Sequence, residues 1–369
     1  MGLQLIRPDL NIDFIGRRKI ANIISLTIIL IGLAALVIKG GPRYGIDFSG
    51  GATVQVKFER PISDEELKTS LAGSNLPGLV VQRFGGDSMT YLLRVSSVEE
   101  TSAGIGRAVS EALDARLGGI GYEIQRLEMV GPKVGADLRG QALEAIYFAI
   151  LLMTIYLSGR FEHRWFTAAV IACALGATMF GLDYIGFNKV YAVFAAVLLT
   201  IFLCWKFKLT FALGVIVSIL HDVLVTVGIF VVLDREFDLI AIAALLAMFA
   251  YSINDKIIVY DRIRENLRKD VVSPLAEVIN RSINQTLSRT VLTSGSTLFV
   301  IIALMVVGGG IIFDFALIMF IGIITGTLSS IFVANSVLLM FSDSINRDDY
   351  RPKEDKRPRD ADGRLAAQV

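Results

Sequence analysis

LIAIAALLAMFAYSINDKIIVY (239–260) is long and apolar enough to cross a bilayer, yet it carries Asp255. A carboxylate at membrane depth costs about 2.5–3.5 kcal/mol even on a lenient insertion scale. Something must offset that cost, and such groups commonly mark an ion or proton path. Asp255 lies five residues before the charged end of the segment, about 7.5 Å deep at about 1.5 Å per residue. An aspartate is too short to snorkel that far. A cation, Arg289, stands at the mouth of the next apolar segment. An Asp255–Arg289 ion pair is therefore expected, and relocating the arginine would let the aspartate take a proton.

Composition places the chain around this segment. Of 369 residues, 54% are hydrophobic and 19% charged, with mean hydropathy +0.61. Soluble domains are about 25% charged, so a polytopic α-helical membrane protein with a diluting polar portion is expected. A net charge of +1 gives no ground for a nucleic-acid partner. Cys173 and Cys204 lack CxxC spacing, and His163 and His221 are too few for a histidine-rich site. No metal, cofactor or disulfide framework is expected. The first apolar run begins near Ile20 and suits an uncleaved anchor.

Eight spans of about 20 residues are predicted, near 20–38, 142–158, 166–185, 190–205, 210–232, 239–260, 291–307 and 311–340. Arg17, Arg18 and Lys19 precede the first, so residues 1–19 should be cytoplasmic. Alternation places Arg160, Arg164, Lys206, Lys208, the loop 261–288 and the tail 342–369 on that same side. The tail is charged and Pro-containing, and is expected to be disordered. Residues 40–138 form a domain-sized loop on the opposite, periplasmic side. Alternation in Ala52–Phe58, a helix at Asp64–Leu71 opened by Ser63, a hairpin around Gly85-Gly86-Asp87, an amphipathic Ser102–Leu117 and a strand at Tyr122–Val130 give the order βαββαβ. That order is ferredoxin-like and by itself implies no chemistry.

Other constellations accompany Asp255. Gly45-Ile46-Asp47-Phe48-Ser49-Gly50-Gly51 lacks the Lys-Ser/Thr of a phosphate loop. Gly45, Gly50 and Gly51 suit tight turning, and Asp47 suits bonding to backbone amides. His221-Asp222 lies in the middle of an apolar span. Asp222 reads equally as a second proton carrier or as a member of a satisfied pair fixing helix packing, and His221 as the latter. Asn254 and Ser288 are candidates for helix packing or relay, and Gly322, Gly326 and Ser329 for a close helix contact. TIYLSGRFEHRWFTAAVI (154–171) echoes TIFLCWKFKLTFALGVIV (200–217) at an offset of 46 residues. A duplicated hairpin and a chance likeness of two apolar segments both explain the echo.

The glycine motif, Val130-Gly131-Pro132-Lys133-Val134-Gly135 and Arg160-Phe161-Glu162 are followed by a further series. It comprises His221-Asp222-Val223, Glu236-Phe237-Asp238-Leu239, Tyr251-Ser252-Ile253-Asn254-Asp255, Asp261-Arg262-Ile263-Arg264-Glu265-Asn266 and Ser282-Ile283-Asn284-Gln285-Thr286-Leu287-Ser288-Arg289-Thr290. In this order they resemble the SecF branch of the SecD–SecF protein-export family, over about residues 12–342. The resemblance implies an RND-type half-transporter helix bundle in the bacterial inner membrane. It implies a partnership with SecD, the SecYEG translocon with a YajC-type accessory subunit, the translocating preprotein and membrane lipids. It also implies that Asp255 and Arg289 are proton-pathway residues and that the protein is not an enzyme. The chain departs from the family's usual six spans by an apparent two-helix insertion at about 166–205. A lipid or small-molecule exporter and a non-conducting assembly scaffold are the alternative functions.

Overall fold

The computed structural model describes residues 11–74, 76–84, 89–96, 102–117, 119–162, 164–270 and 272–341. The Gly85-Gly86-Asp87 turn, His163 and the tail from residue 342 lie outside them. Helix α1 (Phe14–Ile38) begins six residues before the apolar run, because Asp13 caps it: Asp13 Oδ1 accepts from Gly16 N at 2.7 Å. Arg17, Arg18 and Lys19 therefore sit in the first turns of the helix.

Beyond α1 come β1 (Arg43–Tyr44), a single helical turn α2 (Ile46–Ser49), β2 (Gly51–Phe58), α3 (Asp64–Leu71), β3 (Val80–Arg83), β4 (Thr90–Val95), α4 (Ser102–Leu117) and β5 (Tyr122–Val130). The four longer strands form one antiparallel sheet in the order β3-β4-β2-β5, which is the ferredoxin-like order. Ser63 opens α3 by accepting from Glu66 N at 3.1 Å, with three acidic residues in the first turn. Val54, Val56, Leu93, Leu67, Val109 and Leu113 are fully buried between sheet and helices. Each such side chain contributes about 1.5–3 kcal/mol of burial, so this portion has a core of its own.

The bundle continues with α5 (Pro132–Glu162), α6 (Trp165–Tyr184), α7 (Lys189–Lys206), α8 (Thr210–Val232), β6 (Glu236–Phe237), α9 (Leu239–Lys269), α10 (Leu275–Val307), α11 (Gly309–Ile331) and α12 (Val333–Met340). Eight stretches among the described residues are long and apolar enough to span a membrane. The last is broken at Phe332, where Asn335 Nδ2 donates to the freed carbonyls of Ser330 and Ile331 at 2.9 and 3.0 Å. Lipid supplies no hydrophobic drive between helices, so close packing must hold them together. Small residues provide it. Gly32 of α1 meets Gly228 of α8 backbone to backbone, and Gly326 of α11 lies against Ser252 of α9.

The α6–α7 hairpin is peripheral. It packs on α5, and α7 also packs on α8, leaving Phe166, Phe180, Tyr184 and Phe194 exposed. The chain closes up behind it. Glu162 Oε1 accepts from Phe211 N at 2.8 Å in the first turn of α8, and Arg164 Nη1 donates to Phe207 O at 2.9 Å. Phe161 stacks on Phe211 with centroids 5.7 Å apart, and Tyr260 stands edge-on to both. The Arg-Phe-Glu motif thus docks α5 directly on α8 and α9, with Arg160 Nη2 paired to Asp261 at 2.6 Å.

Candidate functional site

Alternation of about 100° per residue on α9 turns Ser252, Asp255 and Lys256 inward and Asn254 outward. Asp255 is 1% exposed. Its Oδ2 accepts from Ser294 of α10 at 3.3 Å and Thr327 of α11 at 3.2 Å. Its Oδ1 is buried without a hydrogen-bond partner among the described residues, as is the hydroxyl of Thr290. The expected ion pair with Arg289 is not formed: Arg289 is exposed on α10 and enters no ion pair among the described residues. Thr290 and Ser294 occupy the inner face of that helix, and Arg289 sits one step around it.

Asp222 has the opposite surroundings. It is fully buried at the middle of α8. Its Oδ2 accepts from Ser252 at 2.6 Å, from Lys256 Nζ at 2.9 Å and from Ser329 at 2.9 Å. Its Oδ1 lies 3.0 Å from His221 Nδ1. Lys256 is also 0% exposed and donates to both the hydroxyl and the carbonyl of Ser252. A buried ion pair of this kind survives only when its remaining lone pairs and protons are satisfied, and here they are.

Asp222 and Asp255, both singled out in the sequence, are buried, and Lys256 beside them was missed. The signal was present, since Ser252 and Lys256 are four residues apart on one helix face. Asn254 is corrected: it is exposed and makes no side-chain hydrogen bond among the described residues, so it packs no helix within this chain. Ser288 is half-buried on α10, and no hydrogen bond of its side chain joins it to the carboxylates. His221 is part of the Asp222 cluster, with Nε2 buried and without a hydrogen-bond partner among the described residues.

The glycine motif sits at the far end of α9. Asp47 Oδ2 accepts from Leu239 N at 3.0 Å, and Asp238 Oδ1 accepts from Ala241 N at 2.7 Å, so two carboxylates cap α9. Gly45 N donates to Phe237 O at 2.7 Å, and β1 runs parallel to β6. Gly50 and Gly51 have φ of +75° and +131°. A Cβ on Gly50 would come within 2.8 Å of Pro132 Cα, and one on Gly51 would press on the Val95 carbonyl. Arg94 of β4 pairs with Glu236, which also meets Arg43 at 3.2 Å. The sheet, α5 and the outer end of α9 are thereby fastened at one junction. Burial, reinforced by the charge of Asp47, holds the Asp238 carboxyl above its usual range, against the opposing cap bond to Ala241 and the charge of Arg94.

A polytopic bundle with buried charges and a ferredoxin-like extracytoplasmic domain defines an RND-like membrane protein. Two family descriptions match the chain: the SecD/SecF protein export membrane protein C-terminal region over residues 110–181 and 184–344, and the SecD/SecF GG motif over residues 35–62. A protein translocase subunit SecF of Magnetococcus marinus is 37% identical over 348 residues, covering 94% of this chain and 96% of that protein. One from Pseudomonas aeruginosa is 32% identical over 345 residues, covering 94% and 95%. The crystal structure of SecDF, a translocon-associated membrane protein from Thermus thermophilus, superimposes with a TM-score of 0.66 at 30% identity. It matches 92% of this chain, which spans only 40% of that longer chain. The chain belongs to the SecF family.

Proposed function

We propose that this protein is an auxiliary subunit of the Sec protein translocase that uses the proton gradient to drive its extracytoplasmic domain. It acts with SecD beside SecYEG and a YajC-type subunit, pulling or releasing preprotein on the outer side of the inner membrane, with both termini cytoplasmic. The observation that carries this is the double engagement of α9. One end is capped by Asp47 of the domain junction, and further along it holds Asp255, a buried carboxylate with only hydroxyl partners among the described residues. A proton gained or lost there changes the charge packed between α9, α10 and α11, and α9 leads straight to the domain. Arg289 stands at the surface of α10 as the cation that meets Asp255 in another arrangement of these helices.

The SecD partnership has its own support. Asn254 on α9 and Arg289 on α10 are exposed polar side chains on membrane-spanning helices. Hydrocarbon would leave them unpaired at a cost of several kcal/mol each by order of magnitude, so a protein partner suits that face. The test uses inverted membrane vesicles containing the partner subunit. Asp255→Asn is expected to abolish the gradient-dependent part of preprotein translocation and leave the ATP-driven part. Undiminished gradient dependence sinks the coupling role and favours an assembly scaffold. A lipid or drug efflux defect with normal preprotein export points instead to an exporter.

A further inference from the structure

Lys256 is a buried cation that the proton-exchange reading does not use, and its position divides the two carboxylates. The ammonium has three donors, and three acceptors surround it: Asp222 Oδ2, Ser252 Oγ and Ser252 O. Asp222 is closely engaged in turn, with Ser252, Lys256 and Ser329 within hydrogen-bond reach of Oδ2 and His221 Nδ1 beside Oδ1. A proton on Oδ2 would have to displace one of these donors, and a proton on either oxygen would cancel the charge that Lys256 faces. Asp255 has the hydroxyls of Ser294 and Thr327, themselves 2.8 Å apart, against one oxygen and no partner on the other among the described residues. The charged and titratable groups around the two carboxylates are His221 on α8, Asp255 and Lys256 on α9, and Arg289 on α10. Their neighbours on α11 are the hydroxyls of Thr327 and Ser329.

Neutralising Asp222 would strand the Lys256 charge in the bundle interior, where an unpaired ion is far more costly than a pair. Discharging Lys256 would strand Asp222 in the same way. Asp255 carries no such obligation. We propose that Asp222 and Lys256 remain charged throughout the transport cycle as a fixed ion pair, with Lys256 a positioning residue that excludes Asp222 from the proton path. The pair pins α8 and α9 together, and Ser329 ties α11 to it. Asp255 is then the single carboxylate that binds and releases the proton.

This inference rests on proton exchange at the site, and two measurements separate it from that reading. The first is infrared difference spectroscopy between pH 5 and pH 9 on the full chain assembled with its partner. Wild type is expected to show a buried protonated-carboxyl band that is absent in Asp255→Asn, while bands of other buried carboxyls such as Asp238 remain in that variant and in Asp222→Asn. A second titrating carboxyl band that persists in Asp255→Asn and vanishes in Asp222→Asn overturns the fixed pair, whatever the translocation activity. The second is gradient-driven translocation in vesicles. Asp222→Asn and Lys256→Met alone are each expected to lose at least ~10-fold, because each leaves one buried charge uncompensated. The double variant, which removes both charges, is expected to recover to within ~3-fold of wild type with the same pH profile. A double variant that assembles normally yet is as inactive as Asp255→Asn also overturns the proposal. If Asp255→Asn itself keeps gradient dependence, the coupling reading fails while the infrared result still decides the state of Asp222.

Discussion

Asp238 sets how the junction responds to pH. Its carboxyl is held above the usual range by burial, with Asp47 adding repulsion, while the cap bond to Ala241 and the charge of Arg94 oppose the rise. The folded form therefore binds the proton more tightly than the unfolded chain does. Its contribution to stability is fullest below the ordinary aspartate range and is lost as pH rises through the raised folded value. Asp238→Asn keeps an acceptor for Ala241 N but removes the titration. Thermal melts of the purified protein across that window should flatten in the variant and gain stability at the upper end. An unchanged slope would remove Asp238 from the account. At this scale the sequence was legible in part. Asp222 and Asp255 announced themselves by depth, whereas their partners did not. Ser294, Thr327 and Ser329 are ordinary polar residues whose meaning depends on α10 and α11 folding back onto α9, and Arg289 forms no ion pair with Asp255 in this arrangement because it sits one step around α10 from the inner face.

Among the elements, α9 is a rod connecting two kinds of site. Sixteen residues separate Leu239 from Asp255, about 24 Å at about 1.5 Å per residue, with the outer end held by Asp47 and Asp238. The helices themselves were readable because each is a long apolar run, and the ferredoxin-like order was readable from alternation and caps. The α6–α7 hairpin was legible as two spans, but its place was not, because nothing in an apolar helix states which neighbour it leans on. The structure resolves this through Glu162, which caps α8 across the hairpin. Removing residues 165–207 and joining Arg164 to Lys208 is expected to leave the orientation of every later span unchanged, since two crossings are lost together. Cysteine accessibility on either side of the membrane would check it, and an inverted C-terminal half would refute it. Glu162→Ala should then cost about 0.5–2 kcal/mol of stability through the lost cap, with or without the hairpin.

Over the whole molecule, the α+β domain and the bundle are joined by charge as well as by chain. Arg94 on the sheet pairs with Glu236 on the bundle, Arg43 bridges Asp234 and Glu236, and Lys39 also reaches Asp234 at 3.1 Å. Most of these groups are partly exposed, and such pairs are individually worth about 0–1 kcal/mol. A junction built of weak, separable contacts would let a domain detach and return at little cost. The packed core beneath it, with its buried pair, does not yield so easily. If the domain swings at this junction, holding Arg94 and Glu236 together should stop it. In a background with Cys173 and Cys204 replaced by alanine, Arg94→Cys and Glu236→Cys joined by a reductant-cleavable bismaleimide are expected to abolish gradient-dependent translocation. Cleaving the linker should restore it, because nothing at Asp255 or Lys256 has been altered. Full activity in the linked protein would mean that the domain moves together with the outer end of α9, and that the flexing point lies deeper in the bundle.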